Sequence, residues 1–147
     1  MLKSTILHPE LLHGLSLCGH GSRILIADAN FPVITKTPTA AKKIFLNISP
    51  GLADAVTILQ LIITAVPIES AAIMNAPDTV EQPVHAVYRT LLGPTIPVTG
   101  FKRMEFYECA ESKDTCLVIA TGETRRFANL LLTVGVIKPE INTAPIS

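Results

Sequence analysis

One histidine of the chain lies between two glycines, where its imidazole could transfer a proton to or from a ligand. In the stretch GHGSRILIADANFP, His20 lies between Gly19 and Gly21, and an apolar run follows that ends at Asp28. Imidazole has a reference pKa of about 6.5, so it exchanges protons near neutral pH, and glycines let backbone and substrate approach closely. From spacing alone, a histidine capping a helix and an aspartate closing a turn remain open interpretations.

Two further polar clusters occur later in the chain. Residues 121–129 read TGETRRFAN and follow another apolar run, and residues 102–108 read KRMEFYE. The first is also typical of a solvated turn, and the second of a charged helix face. Taken singly, neither cluster specifies a function.

Nucleotide and metal sites are disfavoured by the glycine and cysteine spacing. The dinucleotide fingerprint follows a strand, opens a helix and needs a third glycine, but here that third position is Ile24 and a strand follows the loop. No Walker A sequence is present. Cys18 and His20 could supply two metal ligands, but no second pair has suitable spacing. We therefore predict no metal and no nucleotide cofactor.

The composition predicts a soluble, intracellular protein of one domain. The 147 residues are 48% hydrophobic and 16% charged, and twelve basic side chains balance twelve acidic ones. This balance predicts no basic surface that would bind nucleic acid. The longest apolar segment, Leu52–Val66, is too short and too polar to span a bilayer. Three cysteines are an odd number and predict reduced thiols in the cytoplasm.

Helices and strands are predicted to alternate, which is typical of a layered α/β domain. Pro9 and Glu10 predict the first turn of a helix, and the apolar run Arg23–Asp28 predicts a strand covered on both faces. Ser49 and Pro50 predict the start of a second helix, which Pro67 ends. The remaining predictions are helices over Val84–Leu92 (with Val84, Val87 and Leu91 facing inward) and Lys102–Glu111, strands over Ile44–Ile48, Ser70–Met74 and Thr115–Thr121, and either state for Phe127–Val136.

The polar clusters together form a recognisable series. GHG, ADANFP, FYE, TGE and an aromatic-x-Asn follow one another in an order and spacing that resembles the ribose pyranase / fucose mutarotase family (RbsD/FucU). The resemblance extends from His8 to Val136 and is loose between Thr35 and Gly100. It implies that residues 1–147 form a single α/β domain of three layers, with a mixed sheet covered by helices.

The resemblance also implies an activity. Members of this family interconvert forms of free monosaccharides without a cofactor, so we expect a mutarotase that exchanges the anomers of L-fucose or a similar sugar. By motif, the catalytic acid falls on His20 and the substrate-binding residues on Asp28, Arg103, Phe127 and Asn129. The fucose branch has an arginine four residues before its FYE tyrosine, and Arg103 occupies that position. Ribose pyranase and a non-catalytic monosaccharide-binding protein are the alternatives.

One position departs from the family pattern. The family's last block is Tyr-x-Asn, whereas this chain has Phe127-Ala128-Asn129 and so lacks a phenol hydroxyl. Either the preferred sugar differs from fucose, or water or another side chain such as Tyr107 takes the place of the hydroxyl.

The resemblance further implies a homo-oligomer, commonly a decamer of two stacked pentameric rings. We expect each pocket to be shared between subunits, with His20 and Asp28 of one subunit facing Phe127 and Asn129 of the next. No nucleic-acid or membrane partner is expected.

Overall fold

A mixed six-stranded sheet forms the centre of the described structure. The computed structural model describes residues 1–77 and 82–139. The strands within them are β1 (Arg23–Ala27), β2 (Lys42–Phe45), β3 (Ile68–Met74), β4 (Val98–Phe101), β5 (Thr115–Ala120) and β6 (Leu130–Val134). They are ordered β2-β5-β1-β6-β3-β4 in the sheet. The last strand, β6, runs antiparallel to β1 and β3, whereas the other neighbours are parallel.

Helices cover both faces of the sheet, as the resemblance implied. They are α1 (Pro9–Ser16), α2 (Ala55–Ala65), α3 (Pro83–Leu92) and α4 (Arg103–Ala110). The side chains of β1 alternate between two cores: Ile24 and Ile26 pack with α1, α2 and α3, while Leu25 and Ala27 pack with α4 and the loop after β1. The prediction of a three-layer α/β domain is confirmed. No helix in residues 1–77 and 82–139 is long and apolar enough to cross a bilayer.

Most predicted elements are present with small shifts at their ends. The helix predicted at Pro9 is α1, the strand predicted at Arg23 is β1, and the ambiguous segment near the C-terminus contains the strand β6. The strand predicted at Ile44–Ile48 begins and ends earlier, as β2. The sequence pattern did not reveal β4, a four-residue strand whose register pairs it with β3.

The predicted start of the second helix at Ser49 and Pro50 is wrong. The helix begins at Ala55, and the carboxylate of Asp54 caps it by accepting a hydrogen bond of 2.8 Å from the Thr57 N–H. The residues before Asp54 cannot be helical, because Gly51 and Ala53 have φ values of 79° and 54°. Their turn instead bonds to Gly122, whose carbonyl accepts from the Gly51 N–H at 2.7 Å.

The predicted inner face of α3 is also wrong in part. Val84 is buried and Leu91 is half-buried against the same core, as expected, but Val87 is exposed, and the other fully buried side chains of the helix are His85 and Tyr88. Both of these polar side chains hydrogen-bond to backbone carbonyls across the core. Burial of His85 and Tyr88 is therefore stabilised by polar partners that the apolar spacing of the helix does not reveal.

Candidate functional site

Asp28 follows the end of β1, and Asn129 precedes the start of its antiparallel neighbour β6, so the two residues meet at the same end of the sheet. The Asp28 N–H donates to Asn129 Oδ1 at 2.7 Å, and Asn129 Nδ2 donates back to Asp28 Oδ2 at 3.1 Å. The second carboxylate oxygen, Oδ1, accepts from the Asn30 N–H at 3.0 Å. Asp28 and Asn129 are 5% and 3% exposed, so this pair forms a fixed polar floor.

A cavity of about 390 Å³ opens above this floor. Its volume lies in the range of small-molecule sites. Four of the five residues proposed from the sequence line it, namely Asp28, Arg103, Phe127 and Asn129. The other lining residues are Asn30, Phe31, Met74, Tyr107 and Arg126.

Burial raises the pKa of the Asp28 carboxyl above its ordinary value. Hydrogen bonds from the backbone of Asn30, Ala128 and Phe31 oppose that effect without cancelling it. No lysine or arginine forms an ion pair with Asp28 within the described residues. The hydrogen bonds that Asp28 accepts from the described residues thus come from uncharged amide groups.

The ring of Phe127 lies close to two guanidinium groups. The Arg103 and Arg126 Cζ atoms lie 5.9 and 5.4 Å from the ring centroid, which is cation–π geometry. Phe127 has a φ of 58°, an uncommon conformation for a bulky side chain. Tyr107 packs edge-on against Phe31 at 5.4 Å on the same cavity wall, so a phenol hydroxyl is present near the site despite the Phe127 replacement.

Two side chains of α3 hold the backbone that carries Phe127 and Asn129. The Phe127 carbonyl lies 2.7 Å from His85 Nε2, and the Tyr88 hydroxyl donates to the Ala128 carbonyl at 2.6 Å. All of these groups are buried. The carbonyl contacts fix the backbone on both sides of Ala128, which supports the unusual conformation of Phe127. Sequence reasoning missed both residues, since neither lies in a polar cluster.

The TGE block supports the same loop from its other end. Glu123 is 2% exposed and accepts from the Ala55 N–H at 3.2 Å, and its two oxygens accept from Arg125 Nε and Nη2 at 2.9 and 2.7 Å. Burial pushes the pKa of Glu123 upward, but the Arg125 hydrogen bonds outweigh it and the pKa is lowered. Gly122 packs so closely on the carbonyls of Leu52 and Ser49 that a Cβ would collide with them. The block is structural.

His20 lies at the opposite end of β1. It precedes the strand, whereas Asp28 follows it, and five strand residues at about 3.3 Å each separate the two ends by about 16 Å. The His20 side chain is 60% exposed, and its Nε2 is 2.9 Å from Glu69 Oε2. The Gly21 N–H donates to the Val134 carbonyl at 2.9 Å, which fixes this turn against the end of β6.

The expected division of the pocket between subunits is therefore wrong in two respects. Asp28, Phe127 and Asn129 belong to one pocket of the same chain, because β1 and β6 are antiparallel neighbours. They do not face one another across an interface. His20 is the one proposed site residue that a single chain does not bring to the cavity.

The chemistry of the cavity is that of a polyol site. Asp28 and Asn129 provide fixed acceptors and a donor, the guanidinium groups provide further donors, and the aromatic rings provide apolar surface. Within the described part of the chain, no three His, Cys, Asp or Glu side chains cluster closely enough to hold a metal ion. None of the residues that line the cavity is a histidine.

Comparison with known proteins gives consistent matches over most of the chain. The model of the RbsD / FucU transport protein family matches residues 1–137. The fucose mutarotase of Homo sapiens is 36% identical over 142 residues, which cover 90% of each chain.

Two solved structures share the fold. Bacillus subtilis RbsD complexed with D-ribose superposes with a TM-score of 0.81 at 28% identity, covering 94% of this chain and all of that one. The fucose mutarotase from Streptococcus pneumoniae in complex with L-fucose has a TM-score of 0.76 at 31% identity, and the match covers 93% of this chain and all of that one. From its conserved architecture and the match over residues 1–137, the chain belongs to the RbsD / FucU family.

Proposed function

We propose that the chain is a cofactor-independent mutarotase that exchanges the anomers of L-fucose or a similar monosaccharide. The observation that carries the proposal is the cavity that Asp28, Arg103, Phe127 and Asn129 line together. Two relatives support the sugar: the human fucose mutarotase and the pneumococcal one in complex with L-fucose. Arg103, which marks the fucose branch, lies in the cavity wall.

The reaction requires two proton transfers. A proton leaves the anomeric hydroxyl while another reaches the ring oxygen, so that the hemiacetal opens, and the ring then recloses on the other face. Asp28 and Asn129 would hold sugar hydroxyls on the rigid floor, and Arg103 would donate to ring or hydroxyl oxygens. An imidazole suits the proton transfers near neutral pH, and we assign that role to His20.

His20 can act in this cavity only if it comes from another copy of the chain. We propose that a neighbouring subunit inserts its His20 above the Asp28 floor, and that the Glu69 carboxylate orients the imidazole. Exposed apolar side chains beside the site support a subunit interface there: Ile34 and Phe45 are 67% and 53% exposed and line a second cleft that also includes Asp28. We propose a homodecamer of two pentameric rings.

The activity can be tested by saturation-transfer NMR on L-fucose and on D-ribose. We expect the protein to accelerate exchange between the α and β anomers of L-fucose. Acceleration confined to ribose pyranose and furanose would favour the ribose pyranase alternative, for which the similarity to RbsD complexed with D-ribose is the supporting observation. Sugar binding without acceleration of either exchange would contradict a mutarotase.

The role of His20 can be tested with a matched histidine. His20→Gln should abolish most of the exchange and leave sugar binding and assembly intact, whereas His13→Gln, an exposed position on α1, should behave like the unaltered chain. Near-normal exchange in His20→Gln would refute the assignment.

Subunit mixing tests whether His20 acts in a neighbouring cavity. His20→Gln and Asp28→Asn are each expected to be inactive. If equal amounts are dissociated together and reassembled at random, roughly a quarter of the shared sites would combine an intact His20 with an intact cavity. Each variant taken alone through the same procedure is the control. No recovery after confirmed subunit exchange would refute the shared site, and light scattering that shows an active monomer would refute the rings.

We also propose a cytoplasmic location. The support is the odd number of cysteines, all three of which are free thiols in the structure. Cell fractionation with thiol labelling would test it, and recovery of the chain from an oxidising compartment would contradict it.

A further inference from the structure

Two cysteines far apart in the sequence lie against each other in the fold. The Sγ atoms of Cys18 and Cys116 are 2.9 Å apart, although 98 residues separate them in the chain. A disulfide bond is about 2.05 Å long, so the sulfur atoms are within about 0.9 Å of bonding distance. Both side chains are half-buried and neither is in a disulfide.

The local backbone directs both thiols to this point. Cys18 follows α1, and its thiol also lies 3.3 Å from the Gly14 carbonyl. Cys116 is on β5 at a register shift: Arg23 pairs with Thr115 and Ile24 with Leu117, so Cys116 has no partner residue on β1. A bulge of this kind redirects a side chain out of the regular alternation.

The two thiols are chemically different. Hydrogen bonding from Cys18 lowers the pKa of Cys116 to about 6, and the Ser22 hydroxyl adds to this effect against the burial of the sulfur. The same contact, together with burial, raises the pKa of Cys18. A thiolate is the reactive form of cysteine, and a neighbouring thiol can resolve its oxidation product.

We propose that Cys18 and Cys116 form a reversible oxidation site at which hydroperoxides generate an intrachain disulfide. The Cys116 thiolate attacks one peroxide oxygen, the O–O bond breaks, hydroxide leaves, and the sulfur becomes a sulfenic acid. The Cys18 sulfur then attacks the Cys116 sulfur, the S–O bond breaks, and the departing oxygen takes the Cys18 proton and leaves as water. Two thiols and one hydrogen peroxide thus give one disulfide and two waters.

Intact-mass spectrometry after treatment of the full chain with hydrogen peroxide tests the site. The unaltered protein should lose two hydrogens, retain one alkylatable thiol and yield a peptide pair linking Cys18 to Cys116, and dithiothreitol should reverse these changes. The third cysteine supplies the matched control: Cys109→Ser should still lose two hydrogens. Cys18→Ser should stop at a sulfenic acid on Cys116 that dimedone traps.

Other results would overturn the proposal. Three free thiols after peroxide treatment, a disulfide that involves Cys109, or a disulfide between chains would each contradict it. Circular dichroism identifies any serine variant that has failed to fold. In that case, the peptide map of the unaltered protein still decides the matter, since it needs no substitution.

The disulfide also has a consequence for catalysis, which rests on the proposed function. Cys18 is two residues from His20, and the intervening Gly19 N–H donates to Ser22 Oγ at 3.1 Å. A displacement of about 1 Å at a catalytic group lowers rates strongly, so the oxidised protein should exchange sugar anomers at least several-fold more slowly. An unchanged rate in protein that is disulfide-bonded by mass would refute this coupling, whereas absence of exchange in the reduced protein would instead refute the proposed function.

Discussion

The amide of Asn129 bonds to both the backbone and the side chain of Asp28. One carboxamide accepts from the Asp28 N–H and donates to its carboxylate, and both residues are almost fully buried. The contact joins the end of β1 to the start of β6, two positions 101 residues apart. The floor of the cavity is thus also part of the tertiary structure of the sheet.

Removal of this amide should therefore lower stability as well as binding. We expect Asn129→Ala to reduce the free energy of unfolding by about 1–3 kcal/mol, since it leaves the buried Asp28 N–H without its acceptor. Urea unfolding at pH 7 measures the change. Asn30→Ala is the control, because Asn30 is exposed and lines the same cavity, and it should cost less than about 0.5 kcal/mol. Equal losses in the two variants would contradict the role of the Asn129 amide.

Sugar binding should weaken in acid at a higher pH than an ordinary aspartate would require. The ionised Asp28 carboxylate accepts hydroxyls, and because burial raises its pKa, protonation begins above the reference value of about 3.9. Calorimetric titrations with L-fucose between pH 7 and pH 4.5 should give progressively lower affinity. Asp28→Asn should bind weakly at every pH, and an unchanged affinity over this range would argue against Asp28 as the acceptor.

The raised pKa of Asp28 makes folding stability depend on pH in the opposite direction to sugar binding. A raised pKa in the folded state means that the neutral carboxyl is the favoured form there. The stabilisation that Asp28 contributes is fully present below about pH 4, the unfolded value, and is lost as the pH rises through the raised pKa. The folded chain therefore keeps a buried carboxylate at neutral pH at a cost in stability.

Restoring the phenol hydroxyl should change sugar recognition. We expect Phe127→Tyr to tighten binding of fucose-like sugars by up to about tenfold, which corresponds to one additional hydrogen bond. A panel of monosaccharides assayed for binding and for anomer exchange measures the effect. Phe101→Tyr adds the same hydroxyl on β4, outside the cavity, and should leave the panel unchanged. If the two variants are indistinguishable, the missing hydroxyl has no role in this chain.

The Glu123 carboxylate should stabilise the fold only when it is ionised. Because its pKa is lowered, its contribution is present above the unfolded value of about 4.3 and is lost as the pH falls through the lowered pKa. Glu123→Gln should cost about 1–3 kcal/mol at pH 7, and the gap to the unaltered protein should narrow in acid. Glu108→Gln, at an exposed position of α4, is the control. A gap that is independent of pH would contradict the role of the charge.

The sequence predicts those parts of the fold whose signals are local. The apolar run that forms β1 and the proline that starts α1 are read within a few residues. His85 and Tyr88 could not be assigned in this way, because their partners are carbonyls about forty residues away on another element. The same limit applies to the site: motifs identified Asp28 and Asn129, but only the antiparallel pairing of β1 with β6 shows that they meet. The position of His20 at the other end of β1 is a local signal, because the predicted strand itself separates His20 from Asp28.

The position of β6 has a consequence for the order of folding. This strand is later in the chain than the other five strands of the described structure, yet it lies between β1 and β3 and joins two parallel groups, β2-β5-β1 and β3-β4. Contacts between distant segments must form before the groups can associate, which slows folding. During synthesis on the ribosome, each group would keep one unpaired strand edge exposed until residues 130–134 emerge. Unpaired strand edges promote aggregation of nascent chains. Phe127 and Asn129 lie immediately before β6, so the pairing of this strand both covers the two exposed strand edges and completes the cavity.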